Sequence, residues 1–187
     1  MKEYILIGGA PLVGKSTIVF NYHDYIHVST DDIRSLMQNL YEPESNEDLF
    51  YGYQLNAEQF YDKYKSAQKV FELEKKQAEE TQKGVEALIK SDFNWNKILI
   101  EGIAITPEFV RKLEKSYSQI KFQTIFLYDN NKERIKKRLF SRGLYDYANK
   151  YPDELKFIEL EWVILYNAYF KTEAEKYGFK IINVDDL

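Results

Sequence analysis

A complete phosphate-binding loop stands near the start of the sequence. Residues 9–16 read Gly-Ala-Pro-Leu-Val-Gly-Lys-Ser, which fits the pattern GxxxxGKS. In this pattern the glycines let backbone NH groups curl towards phosphate oxygens, the lysine adds charge at the outer phosphates, and the serine hydroxyl ligates Mg2+. The loop follows an apolar run and precedes a helix-compatible stretch. We therefore expect a nucleotide site made of Gly9, Ala10, Pro11, Leu12, Val13, Gly14, Lys15, Ser16 and Thr17.

Acidic residues follow two other apolar runs. Asp31 and Asp32, with Arg34 close behind, come after the run at residues 25–28, and Glu101 ends the run at 98–100. In an open parallel sheet, ligands gather at the carboxyl ends of the strands, so these acids should face the same crevice as the loop. The alternatives are that Asp31 only caps the next helix and that Glu101 is a surface acid. We favour the functional interpretation of both.

Three arginines, Arg134, Arg138 and Arg142, recur at a four-residue spacing. This spacing places them on one face of a helix. The helix leads into residues 142–152, a polar, tyrosine-rich segment around Gly143 that we call the lid segment and expect to be mobile. A solvated basic face is the alternative. We favour catalytic roles for Arg138 and Arg142, which would reach the nucleotide phosphates when the lid closes.

The elements that position these residues read as one α/β domain over residues 1–187. Strand-like runs at 4–7, 25–28, 98–100, 122–128 and 179–184 alternate with helical patterns, which predicts a parallel sheet flanked by helices. An apolar stripe repeats every seven residues from Ala57 to Val85, within a helical pattern spanning 57–90. A straight helix of that length would exceed a small domain, so we expect a break near Gly84 or residues 64–66. We expect the stripe to pack on its own domain; a coiled-coil dimer is the alternative, which Glu74 in the stripe disfavours.

The composition narrows the class of partner and compartment. The net charge is −4, with acids and bases interspersed, which argues against binding to duplex nucleic acid or an anionic membrane. There is no cysteine, which excludes disulfides and thiol catalysis, and the two histidines are too few for a histidine metal site. We find no signal peptide or membrane span and expect a cytoplasmic protein. The oligomeric state stays open.

Together these features resemble the small P-loop kinases grouped around 2-phosphoglycerate kinase, polynucleotide 5′-kinase, zeta toxins and chloramphenicol phosphotransferase. The resemblance covers most of the chain in order, although only the phosphate loop is specific by itself. It implies the P-loop NTPase fold with strand order 2-3-1-4-5 and acceptor recognition by a helical insert between the second and third strands, here residues 41–96. It also implies that Asp31 is the general base, that Arg34 binds the acceptor, and that Arg138 and Arg142 are the lid arginines.

The resulting hypothesis is a kinase that uses ATP and Mg2+ to phosphorylate a hydroxyl of a small acceptor. We assign Ser16 and Asp32 to the metal and Arg34 and Glu101 to the acceptor, leaving open whether Asp32 or Glu101 is the main metal-side acid. The charge of Arg34 favours an anionic acceptor. The alternatives are a toxin-like or antibiotic phosphotransferase, and a non-catalytic ATP-binding switch that acts through a protein partner. A GTPase is disfavoured, because Arg134 stands where the guanine-binding motif requires an aspartate.

Overall fold

A parallel β-sheet forms the centre of the molecule. The computed structural model describes residues 2–91 and 93–186. The five strands of the sheet are β1 (Glu3–Gly9), β2 (Ile26–Ser29), β3 (Lys97–Glu101), β4 (Phe122–Tyr128) and β5 (Ile181–Asn183). Their order is β2-β3-β1-β4-β5, and every neighbouring pair is parallel. The predicted P-loop fold and strand order are therefore confirmed.

Helices connect the strands, as parallel pairing requires. They are α1 (Lys15–Val19), α2 (Thr30–Gln38), α3 (Ala57–Tyr64), α4 (Ala67–Lys90), α5 (Pro107–Ser116), α6 (Lys132–Arg142) and α7 (Asp153–Lys176). Two short 3-10 turns, at Pro43–Ser45 and Val184–Asp186, complete the described elements. Among the helices of residues 2–91 and 93–186, none is long and apolar enough to cross a membrane.

Both faces of the central strands are buried. Along β1, Tyr4 and Leu6 belong to the larger core cluster, which also includes residues of α2, α4 and α7, whereas Ile5 and Ile7 belong to a smaller cluster on the other face. Side chains alternate between the two faces of a strand, so a strand covered on both faces is apolar throughout. This explains why β1 and β3 appear in the sequence as continuous apolar runs.

The long helical pattern is interrupted where one of the two predicted breaks lies. α3 ends at Tyr64, Lys65 has a left-handed backbone with φ of 57°, and the Ser66 hydroxyl caps α4 by accepting a hydrogen bond from Lys69 N at 3.2 Å. Gly84 is not a break, because α4 continues through it. A Cβ at Gly84 would lie 2.5 Å from Ile33 Cγ2, so the glycine lets α4 pack closely against α2.

The apolar stripe packs on its own domain, as predicted. Its buried members are Ala57, Phe60, Ala67, Ala78, Thr81 and Val85. α4 packs against α2 on one side and α7 on the other. The insert between β2 and β3 is therefore part of the same core as the sheet.

Candidate functional site

The phosphate loop is a tight turn between β1 and α1. Leu12 and Gly14 have left-handed backbones, with φ of 63° and 94°. Ala10 and Val13 are buried and anchor the loop. Inside this turn, Lys15 Nζ donates hydrogen bonds to the carbonyl oxygens of Gly9 at 3.0 Å and Ala10 at 2.9 Å. The lysine side chain is thus partly buried and folded over its own loop.

A cleft of about 830 Å³ starts at this loop and extends to the insert. It brings together most of the predicted site residues, namely Pro11, Leu12, Gly14, Lys15, Ser16, Thr17, Asp31, Arg34, Glu101, Arg138 and Arg142. Gly9, Ala10 and Val13 support the loop and do not line the cleft. Asp32 is exposed and also does not line it. The structure therefore separates the two adjacent aspartates.

Strand pairing explains why Asp31 and Glu101 meet at the cleft. Ser29, the last residue of β2, is in register with Glu101, the last residue of β3. A Cβ at Gly102 would lie 1.8 Å from Thr30 Oγ1, so only glycine allows the end of β3 to approach the start of α2 this closely. The Ser29 hydroxyl caps α2 by accepting a hydrogen bond from Asp31 N at 3.1 Å. Because Ser29 is the cap, the Asp31 carboxylate is not needed for that purpose.

Charges around Asp31 link the loop to the insert. Burial lowers the pKa of Lys15, and the nearby carboxylates of Glu101 and Asp31 partly oppose that shift. Asp31 Oδ1 also lies 3.0 Å from Arg34 NH1, although the Asp31 side chain is 67% exposed. Arg34 in turn donates a hydrogen bond to Gln77 Oε1 on α4 at 3.4 Å. Asp31 therefore stands between the phosphate-loop lysine and the insert.

The three arginines of α6 divide into two roles. Arg134 donates to the buried carboxylate of Asp129, with Nε 2.8 Å from Oδ2, and also pairs with Asp185. Arg138 NH1 donates to the Leu12 carbonyl oxygen at 2.9 Å, and Arg142 lines the cleft near Lys15. Arg134 thus joins elements of the fold, while Arg138 and Arg142 lie beside the phosphate loop. The α6 row is not simply a solvated basic face.

The lid segment is tied to the rest of the protein by tyrosines. Tyr145 OH donates to the Gly52 carbonyl oxygen at 2.6 Å, and Tyr145 N donates to Glu159 Oε1 at 3.1 Å. Glu159, which is completely buried in α7, also accepts hydrogen bonds from Tyr151 OH at 2.5 Å and Tyr61 OH at 2.9 Å. One carboxylate therefore joins the lid segment, α3 and α7. The predicted mobility of the lid segment remains a prediction.

Several cleft residues were not predicted from the sequence. Glu74, Tyr51, Tyr145 and Trp162 line the cleft, and none of them was assigned to the site from the sequence. The sequence did contain one indication that Glu74 is a functional residue, because it is a charged residue within the apolar stripe. Its carboxylate forms no hydrogen bond or ion pair with any residue the structure describes. Burial is the main reason that its pKa is raised to about 7, with Asp31 contributing and Arg34 opposing.

A metal ion in this site would be held by residues of the phosphate loop and of the strand ends. Within residues 2–91 and 93–186, no group of three histidine or acidic side chains is arranged to hold a metal ion. His27 Nε2 lies 3.6 Å from Glu101 Oε1, and Ser16 is exposed at the loop. Mg2+ in nucleotide sites commonly uses few protein ligands, with waters and phosphate oxygens supplying the others. Ser16 and Glu101 fit that pattern.

Comparisons with known proteins give structural matches only. No protein-family model matches the sequence, and no curated protein matches it. A gluconokinase from Sinorhizobium meliloti aligns over 94% of both chains, with 13% identity and a TM-score of 0.45. A chain from the PezAT chromosomal toxin–antitoxin system of Streptococcus pneumoniae aligns over 99% of this chain and 68% of its own, with 17% identity and a TM-score of 0.48. The fold assignment rests on the strand order and the phosphate loop.

Proposed function

We propose that this chain is a P-loop phosphotransferase that moves the γ-phosphoryl group of ATP to a hydroxyl of a small molecule. The observation that carries the proposal is a single cleft lined by the loop lysine, an acid beyond β2 and two arginines of α6. Phosphoryl transfer depends mainly on positioning and on electrostatic stabilisation of the transferred group. Each of these requirements has a candidate residue in the cleft.

At the nucleotide end, the loop and Lys15 would bind the outer phosphates. Lys15 Nζ now bonds two loop carbonyls, so its ammonium group can exchange those partners for phosphate oxygens. Arg138 and Arg142 lie close enough to the loop to stabilise charge on the transferred group. Ser16 and Glu101 would hold Mg2+, which when bound neutralises charge on the phosphate oxygens. We assign the metal-side acid to Glu101, because Asp32 lies outside the cleft.

At the acceptor end, Asp31 is our candidate for the general base. Its carboxylate lines the cleft between Lys15 and Arg34, and Arg34 orients it through the 3.0 Å contact. In the proposed reaction Asp31 takes the proton of the acceptor hydroxyl as the oxygen attacks the γ-phosphorus, and ADP leaves. A positioned general base contributes roughly 100-fold to 10,000-fold to the rate.

The adjacent aspartates provide a matched test. The purified protein is incubated with ATP, Mg2+ and a metabolite extract, and phosphorylated products are identified by mass spectrometry. We expect Asp31→Asn to retain ATP binding and to lose about 100-fold or more in transfer, whereas Asp32→Asn retains transfer. The opposite pattern would reverse our assignment of the base. ATP binding without transfer to any acceptor would favour the non-catalytic switch instead.

A further inference from the structure

On the side of the cleft formed by α2 and α4, the charged lining residues are two acids, Asp31 and Glu74, and one cation, Arg34. The structure already pairs Arg34 with Asp31 at 3.0 Å and with the Gln77 amide oxygen at 3.4 Å. Glu74, which projects from α4 into the same cleft, has no hydrogen-bond or ion-pair partner among the described residues. The charge of Arg34 is therefore largely offset, while Glu74 still lacks a donor. A half-buried carboxylate that lines a cleft without an ion-pair partner can accept hydrogen bonds from a ligand that supplies a donor.

Aromatic residues line the same cleft. Tyr51, Tyr145 and Trp162 are contributed by the insert, the lid segment and α7, and Tyr53 adds a half-exposed ring. Aromatic rings attract cations over their faces, and they do not attract anions there. A carboxylate together with aromatic rings is a suitable environment for an ammonium group. A carboxylate or phosphate on the acceptor would instead face repulsion from Asp31 and Glu74.

On the basis of the proposed phosphotransferase activity, we infer that the acceptor is a small hydroxyl compound that carries an amine, and that Glu74 binds its ammonium group. This differs from the anionic acceptor that Arg34 alone favoured. The hydroxyl would face Asp31 and the ammonium group would face Glu74. The amine thus determines which hydroxyl compounds enter the cleft, and Glu74 acts on specificity and not on the transferred phosphoryl.

The inference also predicts a pH dependence. Glu74 ionises near pH 7, and an ammonium group binds only the ionised form well. Binding of 3-aminopropanol, a simple alkylamine that stays protonated over this range, should therefore strengthen from pH 6 to pH 8. The groups that act on Glu74 or are acted on by it are Arg34, Asp31, Tyr51, Tyr145 and Tyr166. The pKa values of these tyrosines are raised by burial, so they stay neutral throughout.

The test uses two probe sets whose members share a carbon skeleton and differ chiefly in charge. Glucosamine, glucose and glucuronate form one set; 3-aminopropanol, propanol and 3-hydroxypropanoate form another. Binding is measured by saturation-transfer NMR with and without a non-hydrolysable ATP analogue and Mg2+. We expect the amine of at least one set to bind about 10-fold or more tightly than its neutral and anionic partners. Glu74→Gln should remove that preference and leave the affinity for the neutral partner unchanged.

Glu72→Gln is the matched control, because Glu72 lies on the same helix and is exposed. It should retain the amine preference. The inference is wrong if no amine binds better than its partners, or if Glu74→Gln keeps the preference. Since the experiment measures binding, it tests the inference about the amine whether or not phosphoryl transfer occurs. Transfer from ATP in a metabolite extract without an amine preference would contradict this inference alone, whereas loss of nucleotide binding would contradict the proposed function.

Discussion

The carboxylate of Glu74 should reduce the stability of the protein at neutral and alkaline pH. Glu74 has no hydrogen-bond or ion-pair partner among the described residues, and burial raises its pKa to about 7. Replacing it with glutamine keeps the size of the side chain and removes the charge. We therefore expect Glu74→Gln to raise the free energy of unfolding at pH 8.

The size of the effect follows from proton binding. Between its usual pKa of 4.5 and the folded value of about 7, the folded state binds more protons at Glu74 than the unfolded state does. The free energy of unfolding of the native protein therefore falls as the pH rises through that window. One pKa unit corresponds to about 1.4 kcal/mol, so the full penalty is about 3 kcal/mol above pH 7 and below 1 kcal/mol at pH 5. The glutamine variant has no such penalty.

Urea unfolding at pH 5 and pH 8, followed by circular dichroism, measures this difference. The advantage of Glu74→Gln over the native protein should grow by about 2 to 3 kcal/mol between the two pH values. Titrating groups that do not interact with Glu74 affect both proteins equally and cancel. For Glu72→Gln, on the exposed side of the same helix, the difference in free energy of unfolding from the native protein should be the same at both pH values. An equal effect of Glu74→Gln at both pH values would refute the reasoning.

Other variants test the remaining parts of the site. Lys15→Ala should lower ATP affinity at least about 10-fold in calorimetry while the circular dichroism spectrum stays native; unchanged ATP affinity would contradict the assignment of the loop. Arg142→Ala should lower kcat far more than ATP affinity, and a normal kcat would make this arginine a surface residue. Arg134→Ala should instead cost about 1 to 3 kcal/mol in urea unfolding because buried Asp129 loses its main partner and keeps only Asn131 N and the 3.6 Å contact with Arg138, and a native midpoint would disprove that role. Tyr151→Phe should speed hydrogen exchange in the lid segment, and ATP with acceptor should slow exchange there in the native protein; equal rates in all samples would show that the lid does not close.

The sequence alone predicted the features that depend on local pattern. Glycine spacing and the preceding apolar run identified the phosphate loop, and alternating apolar runs indicated a parallel sheet whose order the family resemblance supplied. Asp31 and Glu101 were predicted to meet because the carboxyl ends of neighbouring parallel strands lie at one edge of a sheet. A break in the long helical pattern followed from helix length, with residues 64–66 as one of the two places predicted for it. Apart from the strand order, each inference needed only short stretches of chain and general rules of geometry.

The tertiary structure decided which side chains face the cleft. Asp31 and Asp32 are adjacent, but successive helical residues point about 100° apart, and with α2 packed on α4 through Ile33 it is Asp31 that lines the cleft. Glu74 enters the site because α4 crosses α2, a contact between residues far apart in the sequence. Arg134 pairs with Asp129 and Asp185 and does not line the cleft as Arg138 and Arg142 do. These two aspartates lie in other segments of the chain. Periodicity defines the faces of a helix, but only its packed neighbours determine what each face contacts.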